Sequence, residues 1–460
     1  MSVAVMLFTS DLRVHDQPAL RAAVRGSDAV VPLFVLDRGV HRVGFDVPNR
    51  RAFLADSLAS LDAGLRERGG RLVVRVGDVS EQVCRIVVET GAREVHVAAG
   101  VSAYAKSREE QLRTALKAYR CALVVHDGVN TALPPGQMKP AEGDHFAAFT
   151  PYFLQWEAAG PRGPVTAPRE IRVPELAGHP LPRRTSVADV SPGVAKGGER
   201  EGRQRLSAWL GDEGSGVEAY EMRRDDLSGD ATSGLSPHLH FGTLSAAEVV
   251  RRARLKGGPG AAAFVRQLAL RDFHQQVLAA RPDAARADYR AHGDHWRNDE
   301  SEIAAWKEGR TGCPIVDAAM RQLRYEGWMP GTGRLLAAGF LTRTLYVDWR
   351  VGARHFLELL VDGDIASNQL NWQWAAGTGP DARPDGGLDP FAQARRFDPH
   401  GDYVRRWVPE LAELAGPDIH EPWKLGDPER AALDYPDPPV DPAAGQSRFE
   451  LGRGLDRASC

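Results

Sequence analysis

The chain has 460 residues, too many for one ordinary core, so two domains are expected. Hydrophobic residues make up 43% and charged residues 26%, the balance of a globular chain rather than a disordered or fibrous one. The net charge of -3 argues against a polycation, so any contact with nucleic acid must come from a local basic face.

The apolar run at 3–8 is followed at once by Asp11 and Arg13, and reads as a strand rather than a signal peptide. Further short apolar runs stand at 30–36, 72–76, 95–98 and 122–125. Helical patterns separate them at 52–68, 83–90 and 108–119; in the first, Phe53, Leu54, Leu58, Leu61 and Leu65 recur at helical spacing. Short apolar strands alternating with helices predict a doubly wound parallel sheet covered on both faces, an α/β domain over 1–130. No GxGxxG follows the first strand, so the ordinary dinucleotide fingerprint is absent. Residues 131–200 are rich in Pro, Gly and Arg, and read as an interdomain connector crossing the surface of the second domain. A connector of that length is expected to be partly ordered or functional. From 201 to 420 helical periodicity dominates, at 246–255, 261–279, 314–325, 334–347 and 353–361, which predicts a mostly α-helical second domain. The Pro- and Asp-rich stretch 428–442 reads as extended and weakly packed, within a C-terminal tail from 421 to 460. No stretch of 18 apolar residues occurs, so no membrane span is expected. Cys84, Cys121, Cys313 and Cys460 form no CxxC pair; neither a disulfide framework nor a metal site is expected, and a reducing cytoplasm fits.

Six of the ten tryptophans fall between Trp296 and Trp374. Core packing accounts for many buried tryptophans. Their local contexts point further. Asp362-Gly363-Asp364 leads through Asn368 to Trp372-Gln373-Trp374. An Asp-rich turn before a helix, or a partial calcium loop, would be the plain reading, but EF-hand ligand spacing does not follow. The segment resembles the flavin-cradling stretch of the photolyase/cryptochrome family. Asp11-Leu12-Arg13-Val14-His15-Asp16 resembles that family's opening signature. The stretch from Thr232 to Gly242 resembles its phosphate-binding turn, and the run from Trp306 through Trp328-Met329 follows it closely. The resemblance covers about 1–420.

The resemblance implies FAD, with a second antenna chromophore (a deazaflavin or a folate) in the first domain, to which Arg51 is a candidate contact. Thr232, Ser233, Gly234, Leu235 and Ser236 would hold the pyrophosphate, with hydroxyls and N–H groups offered at a helix start. Arg271 would supply charge there, and Tyr220 matches a phosphate-side tyrosine. Arg334 and Asp362 match an ion pair beside the ring; Gly363, Asp364 and Asn368 match ring-facing positions. A neutral amide at 368 tolerates a reduced, anionic flavin where a carboxylate would oppose it. Trp372, Trp349 and Trp296 match an electron-relay chain of easily oxidised indoles. His238 and His240 lack a third ligand in motif spacing, and a core or turn role is expected for them.

The lesion pocket departs from the family pattern. Residues 267, 270, 271 and 274 share one helix face. Gln267 can still hydrogen-bond a thymine, and Trp374 retains one stacking wall. Leu270, however, stands where a tryptophan is expected. Pro330-Gly331-Thr332 replaces His-Asn-Arg, Gly234 replaces an arginine, and Gly386-Gly387-Leu388-Asp389-Pro390 replaces a turn flanked by arginine and asparagine. Arg224, His274 and Gln393 complete the expected substrate-side set, with Arg395 and Arg396 as further phosphate contacts. The expected function is light-dependent repair of cyclobutane pyrimidine dimers: excited reduced FAD gives an electron to a flipped dimer, the ring splits and the electron returns. Two alternatives stand beside it: a cryptochrome-like photoreceptor that has lost repair, and light-driven electron transfer to another small substrate. The expected partner is damaged DNA, and the expected state is a cytoplasmic monomer.

Overall fold

Five parallel strands build the sheet of this computed structural model: β1 (Val3–Phe8), β2 (Ala29–Asp37), β3 (Val73–Gly77), β4 (Glu94–Ala98) and β5 (Ala122–His126). Their order is β3-β2-β1-β4-β5, with Val3 opposite Ala29 and Ala4 opposite Glu94. All six β1 residues are buried, which is why the strand reads as an unbroken apolar run. The structure describes residues 1–211, 216–229, 231–381, 389–440 and 442–454.

Seven of the eight expected helices form, and four of them begin at a polar cap ahead of their apolar pattern. Asp78 caps the Val79–Thr90 helix, Ser102 the Ala103–Lys117 helix and Asp348 the Trp349–Leu359 helix, each side chain accepting a backbone N–H of the first turn.

The chain divides into two compact units. The first takes in 1–190, 195–221 and 233–282; the second takes in 191–194, 222–232 and 283–460. The sheet therefore shares its unit with the Ala246–Lys256 and Gly258–Ala280 helices. Much of the 131–200 connector also belongs here, and it does not merely cross a helical surface. Val30 N–H donates to the Arg172 carbonyl, and His179 N–H donates to the Val74 carbonyl.

Asp11–Asp16 is the clasp of the first unit. Arg13 is buried, and its guanidinium donates to the carbonyls of Gly242, Asp16 and Val129. Asp16 sits at φ 51° and accepts from Ser245 Oγ, Arg162 and the Val165 N–H. Glu199 accepts the N–H groups of Val14 and His15. Burial alone would raise the Glu199 carboxyl. The bonds from His15 and the Val14 N–H outweigh it and hold the group below its ordinary value. His238 is a core residue, 2.8 Å from Thr243 Oγ1, with burial pushing it down to about 4.

Two expectations for the second unit are corrected. The helix expected over 334–347 is broken: Gly331–Gly339 is α-helical, Phe340–Thr344 is a π-turn, and Tyr346 is left-handed at φ 56°. Thr342 donates its hydroxyl back to the Ala338 carbonyl, which competes with the helical ladder there. The tail is also better packed than expected. Val440 joins the main apolar cluster, Tyr435 bonds the buried Asp317, and the Pro442–Gly452 helix buries Phe449.

Candidate functional site

The phosphate-turn residues Ser233, Gly234 and Leu235 of the first unit lead into a short helix, Ser236–His240, of only five residues. Its dipole is correspondingly weak, so the expected helix-start contribution is small. Ser233 Oγ accepts the N–H of Leu235, which is itself buried; Ser236 is exposed, and Thr232 is half-buried. Gly234 is left-handed at φ 58°, and a Cβ there would lie 2.4 Å from the Arg205 guanidinium. Arg205 Nε donates to the Ser233 carbonyl. The position that lacks the expected arginine is thus met by a guanidinium from the Glu199–Gly211 helix. No periodic or local signal in the sequence joins these two positions.

Arg271, Gln267, Leu270 and His274 lie on the Gly258–Ala280 helix, and their spacing does put them on one face. Exposure falls along it: Gln267 is exposed, Leu270 and Arg271 are half-buried, and His274 is buried. Arg271 donates to the carbonyls of Asn130 (2.8 Å) and Leu239 (3.2 Å). Its neighbour Asp272 is buried and accepts from Trp156 Nε1 and from the Ala132 and Leu133 N–H groups. Burial outweighs these bonds and the nearby Arg271 charge, and pushes the Asp272 carboxyl up to about 6. Tyr220 is packed edge-on against Trp209 and Phe264, both at 5.7 Å.

In the second unit, Arg334 Nη2 donates to Asp362 Oδ2 at 2.8 Å, and Arg334 Nε donates to the Met329 carbonyl. The Asp362 side chain is only 2% exposed, yet its Oδ1 has no partner among the described residues. A buried acceptor left open beside a fixed cation suits a ring N–H donor. Gly363 is buried, and Asp364 caps the Ile365–Ala376 helix through the Ser367 N–H. Asn368 Nδ2 donates to the Ala353 carbonyl and to Gln369 Oε1. That commits the donor end of the amide and leaves Oδ1 as the acceptor. The open Asp362 oxygen and the oriented Asn368 amide fit a flavin ring.

Trp372 and Trp349 are buried, and Trp296 is half-buried. A Cβ on Gly352 would lie 2.2 Å from the Trp372 ring, so glycine is required for that ring to reach the Trp349–Leu359 helix. Phe356 packs edge-on against Trp372 at 4.9 Å. Trp349 Nε1 donates to Asp288 Oδ1 at 2.7 Å, a carboxylate placed to stabilise positive charge on the indole. The ring against Trp296 is Tyr346, at 4.7 Å.

The remaining substrate-side residues are more dispersed. Thr332 is buried and donates to Asp225, while Gly331 is exposed with open space around it. Trp374 and Arg224 are half-buried, and Gln393 holds a buried Oε1 without a partner among the described residues. Arg395 pairs with Glu421 and stays exposed. Gly386, Gly387 and Leu388 lie outside the described residues.

Outside the carboxyl ends of β1 and β4 the sheet order reverses, the usual place for a ligand in such sheets. Tyr104 bonds Asp37 there, and Arg108 keeps a buried Nε without a partner among the described residues. Arg51, the sequence candidate for this chromophore, is instead 48% exposed and faces Asp46 at 3.7 Å; Arg50 beside it is buried over Phe45.

Residues 4–172 match the DNA photolyase family, and residues 264–451 match the FAD binding domain of DNA photolyase. A deoxyribodipyrimidine photo-lyase of Streptomyces griseus is 63% identical over 99% of this chain and 100% of its own length. The chain belongs to the DNA photolyase family. Among solved structures, a cryptochrome from Synechocystis superposes with a TM-score of 0.90 at 27% identity, over 99% of both chains. An archaeal photolyase from Sulfolobus tokodaii, solved with two FAD molecules, gives 0.88 at 30% identity over 99% of this chain and 100% of its own. The photolyase fold hosts both kinds of protein. The expected flavin domain is present, and among the described residues no helix is long and apolar enough to cross a membrane.

Proposed function

We propose that this chain repairs cyclobutane pyrimidine dimers in DNA with blue light, as a cytoplasmic monomer. The observation that carries the reading is the full-length, 63% identical relative named a deoxyribodipyrimidine photo-lyase. Bound FAD, when reduced and excited, supplies one electron to the dimer and takes it back after the ring splits.

The residues divide the remaining work. Arg271 and Arg205 neutralise the pyrophosphate, beside the turn Thr232, Ser233, Gly234, Leu235 and Ser236, with Tyr220 behind it. Arg334 fixes Asp362 so that the open Oδ1 accepts a ring N–H. Asp364 and Gly363 shape the approach, and Asn368 offers its Oδ1 as a neutral acceptor. Trp372, Trp349 and Trp296 deliver electrons that keep the cofactor reduced. Gln267 offers an amide to a base edge, and Trp374 offers an indole face for stacking. Leu270 gives apolar contact in place of a second aromatic wall. His274, Gly331, Thr332, Gln393 and Arg224 line the substrate side, Arg224 toward phosphate.

A second chromophore is proposed outside the carboxyl ends of β1 and β4, where the Arg108 guanidinium carries a donor with no partner among the described residues. Arg108→Met would then lose that chromophore's absorption while retaining FAD.

The test is repair of a thymine-dimer oligonucleotide by the reduced protein under blue light, with a dark control. Light-dependent recovery of thymine absorbance supports the reading. No recovery from protein that holds and photoreduces FAD overturns it in favour of a photoreceptor.

A further inference from the structure

The tryptophan relay proposed above reaches Trp296, and the ring packed on Trp296 is a tyrosine. The centroids of Trp296 and Tyr346 lie 4.7 Å apart with their planes 35° apart. Backbone pairing fixes the contact: Arg297 N–H donates to the Tyr346 carbonyl at 2.8 Å, and residues 297 and 347 form a parallel bridge. Tyr346 holds a left-handed backbone at φ 56°, a costly conformation for an aromatic residue. Packing alone could be met by a relaxed apolar residue.

The phenol is shut away from solvent. Gly452 passes so close that a Cβ there would lie 2.0 Å from the ring, and Phe449 meets it edge-on at 6.0 Å. The hydroxyl donates to Asp294 Oδ1 at 2.8 Å. That carboxylate is 2% exposed and is held in place by Arg453 Nε, also at 2.8 Å. Burial, then the bond to Asp294 and its charge, raises the phenol above its ordinary value, so it stays protonated at rest.

An oxidised phenol is a very strong acid, so a buried tyrosine yields an electron readily only if a base takes its proton in the same event. With water excluded, that base must be a protein group already hydrogen-bonded to the hydroxyl. We propose that Tyr346 is a fourth member of the relay, passing one electron to the oxidised Trp296 indole as its hydroxyl proton moves to Asp294. The indole radical cation returns to tryptophan, the O–H bond breaks, Asp294 becomes a carboxylic acid, and a neutral phenoxyl radical remains on Tyr346. The oxidant is the indole that the relay itself supplies. This rests on the relay reading, and adds an enclosed resting place for the hole that slows its return.

The experiment is a blue flash on the holoprotein with oxidised FAD, read by transient absorption and electron paramagnetic resonance. A phenoxyl signal should grow as the indole radical cation decays, more slowly in heavy water because a proton moves. Tyr346→Phe should lose that signal entirely and keep a longer-lived indole radical. Asp294→Asn, which keeps the phenol, should lose most of it. Ring-deuterated tyrosine should narrow the resonance of the unaltered protein, an assignment that needs no variant to fold. An indole radical with no phenoxyl, or a phenoxyl that survives Tyr346→Phe, overturns the proposal and leaves the relay intact. No indole radical at all, or one unchanged in Trp296→Phe, overturns the relay and this proposal with it.

Discussion

The two compact units treat their site arginines differently. In the first, Arg271 and Arg205 donate to main-chain carbonyls of Asn130, Leu239 and Ser233. Asp272 lies 3.8 Å from Arg271, but its carboxylate accepts its hydrogen bonds from Trp156 Nε1 and the Ala132 and Leu133 N–H groups. In the second, Arg334 and Arg453 are matched to the buried carboxylates Asp362 and Asp294. The two carbonyl partners of Arg271 hold its guanidinium in place without cancelling its charge, which suits a polyanionic ligand. Carboxylate partners cancel it, which suits aromatic rings through which a positive hole must travel.

The largest effect expected from breaking this contrast is at Arg334. Arg334→Met leaves Asp362 buried and uncompensated, and should cost about 3 kcal/mol in urea unfolding along with loss of FAD. Next is Gly352→Ala, whose added Cβ meets the Trp372 ring. It should cost about 1–3 kcal/mol, and should slow FAD photoreduction more than Leu341→Ala variants of matched stability do. Leu270→Trp tests the open face of the first unit from the other side. It should tighten binding to dimer-containing DNA by about 1–3 kcal/mol, read as competition against undamaged duplex. Arg205→Met should weaken FAD binding roughly tenfold, measured by fluorescence on titrating apoprotein, with little change in photoreduction once loaded.

The smallest effect is a slope. The Asp272 carboxyl is raised in the folded state, so its neutral form favours folding. That contribution is full below the ordinary carboxylate range and is lost as pH rises through about 6. Asp272→Asn should flatten the stability profile over that window, and an unchanged slope would assign the effect to another group.

Much of this was legible in the chain itself. Short apolar runs mark all five strands in order, and the run of β1 is unbroken because that strand is buried on both sides. The flavin-side residues were readable because one short segment, 362–374, carries most of them. What escaped was set by distant partners. Arg205 meets Gly234 through a backbone conformation that no spacing reveals. The break at Phe340–Thr344 lies within an apolar pattern that fits a helix throughout, and a back-bonding threonine interrupts it. The tail was read from its prolines and aspartates, whereas Tyr435, Val440 and Phe449 decide its packing.

The clasp around Asp11–Asp16 enlarges the mutational target of this gene well beyond its chemistry. Substitutions at Arg13, Asp16 or Glu199 strand buried partners far along the chain, at Gly242, Ser245 and Val14. In a screen for cells that fail to recover from ultraviolet light, such alleles would score beside those that remove a flavin contact. The two groups separate by how much protein accumulates, because clasp alleles lower abundance while each surviving molecule keeps its activity.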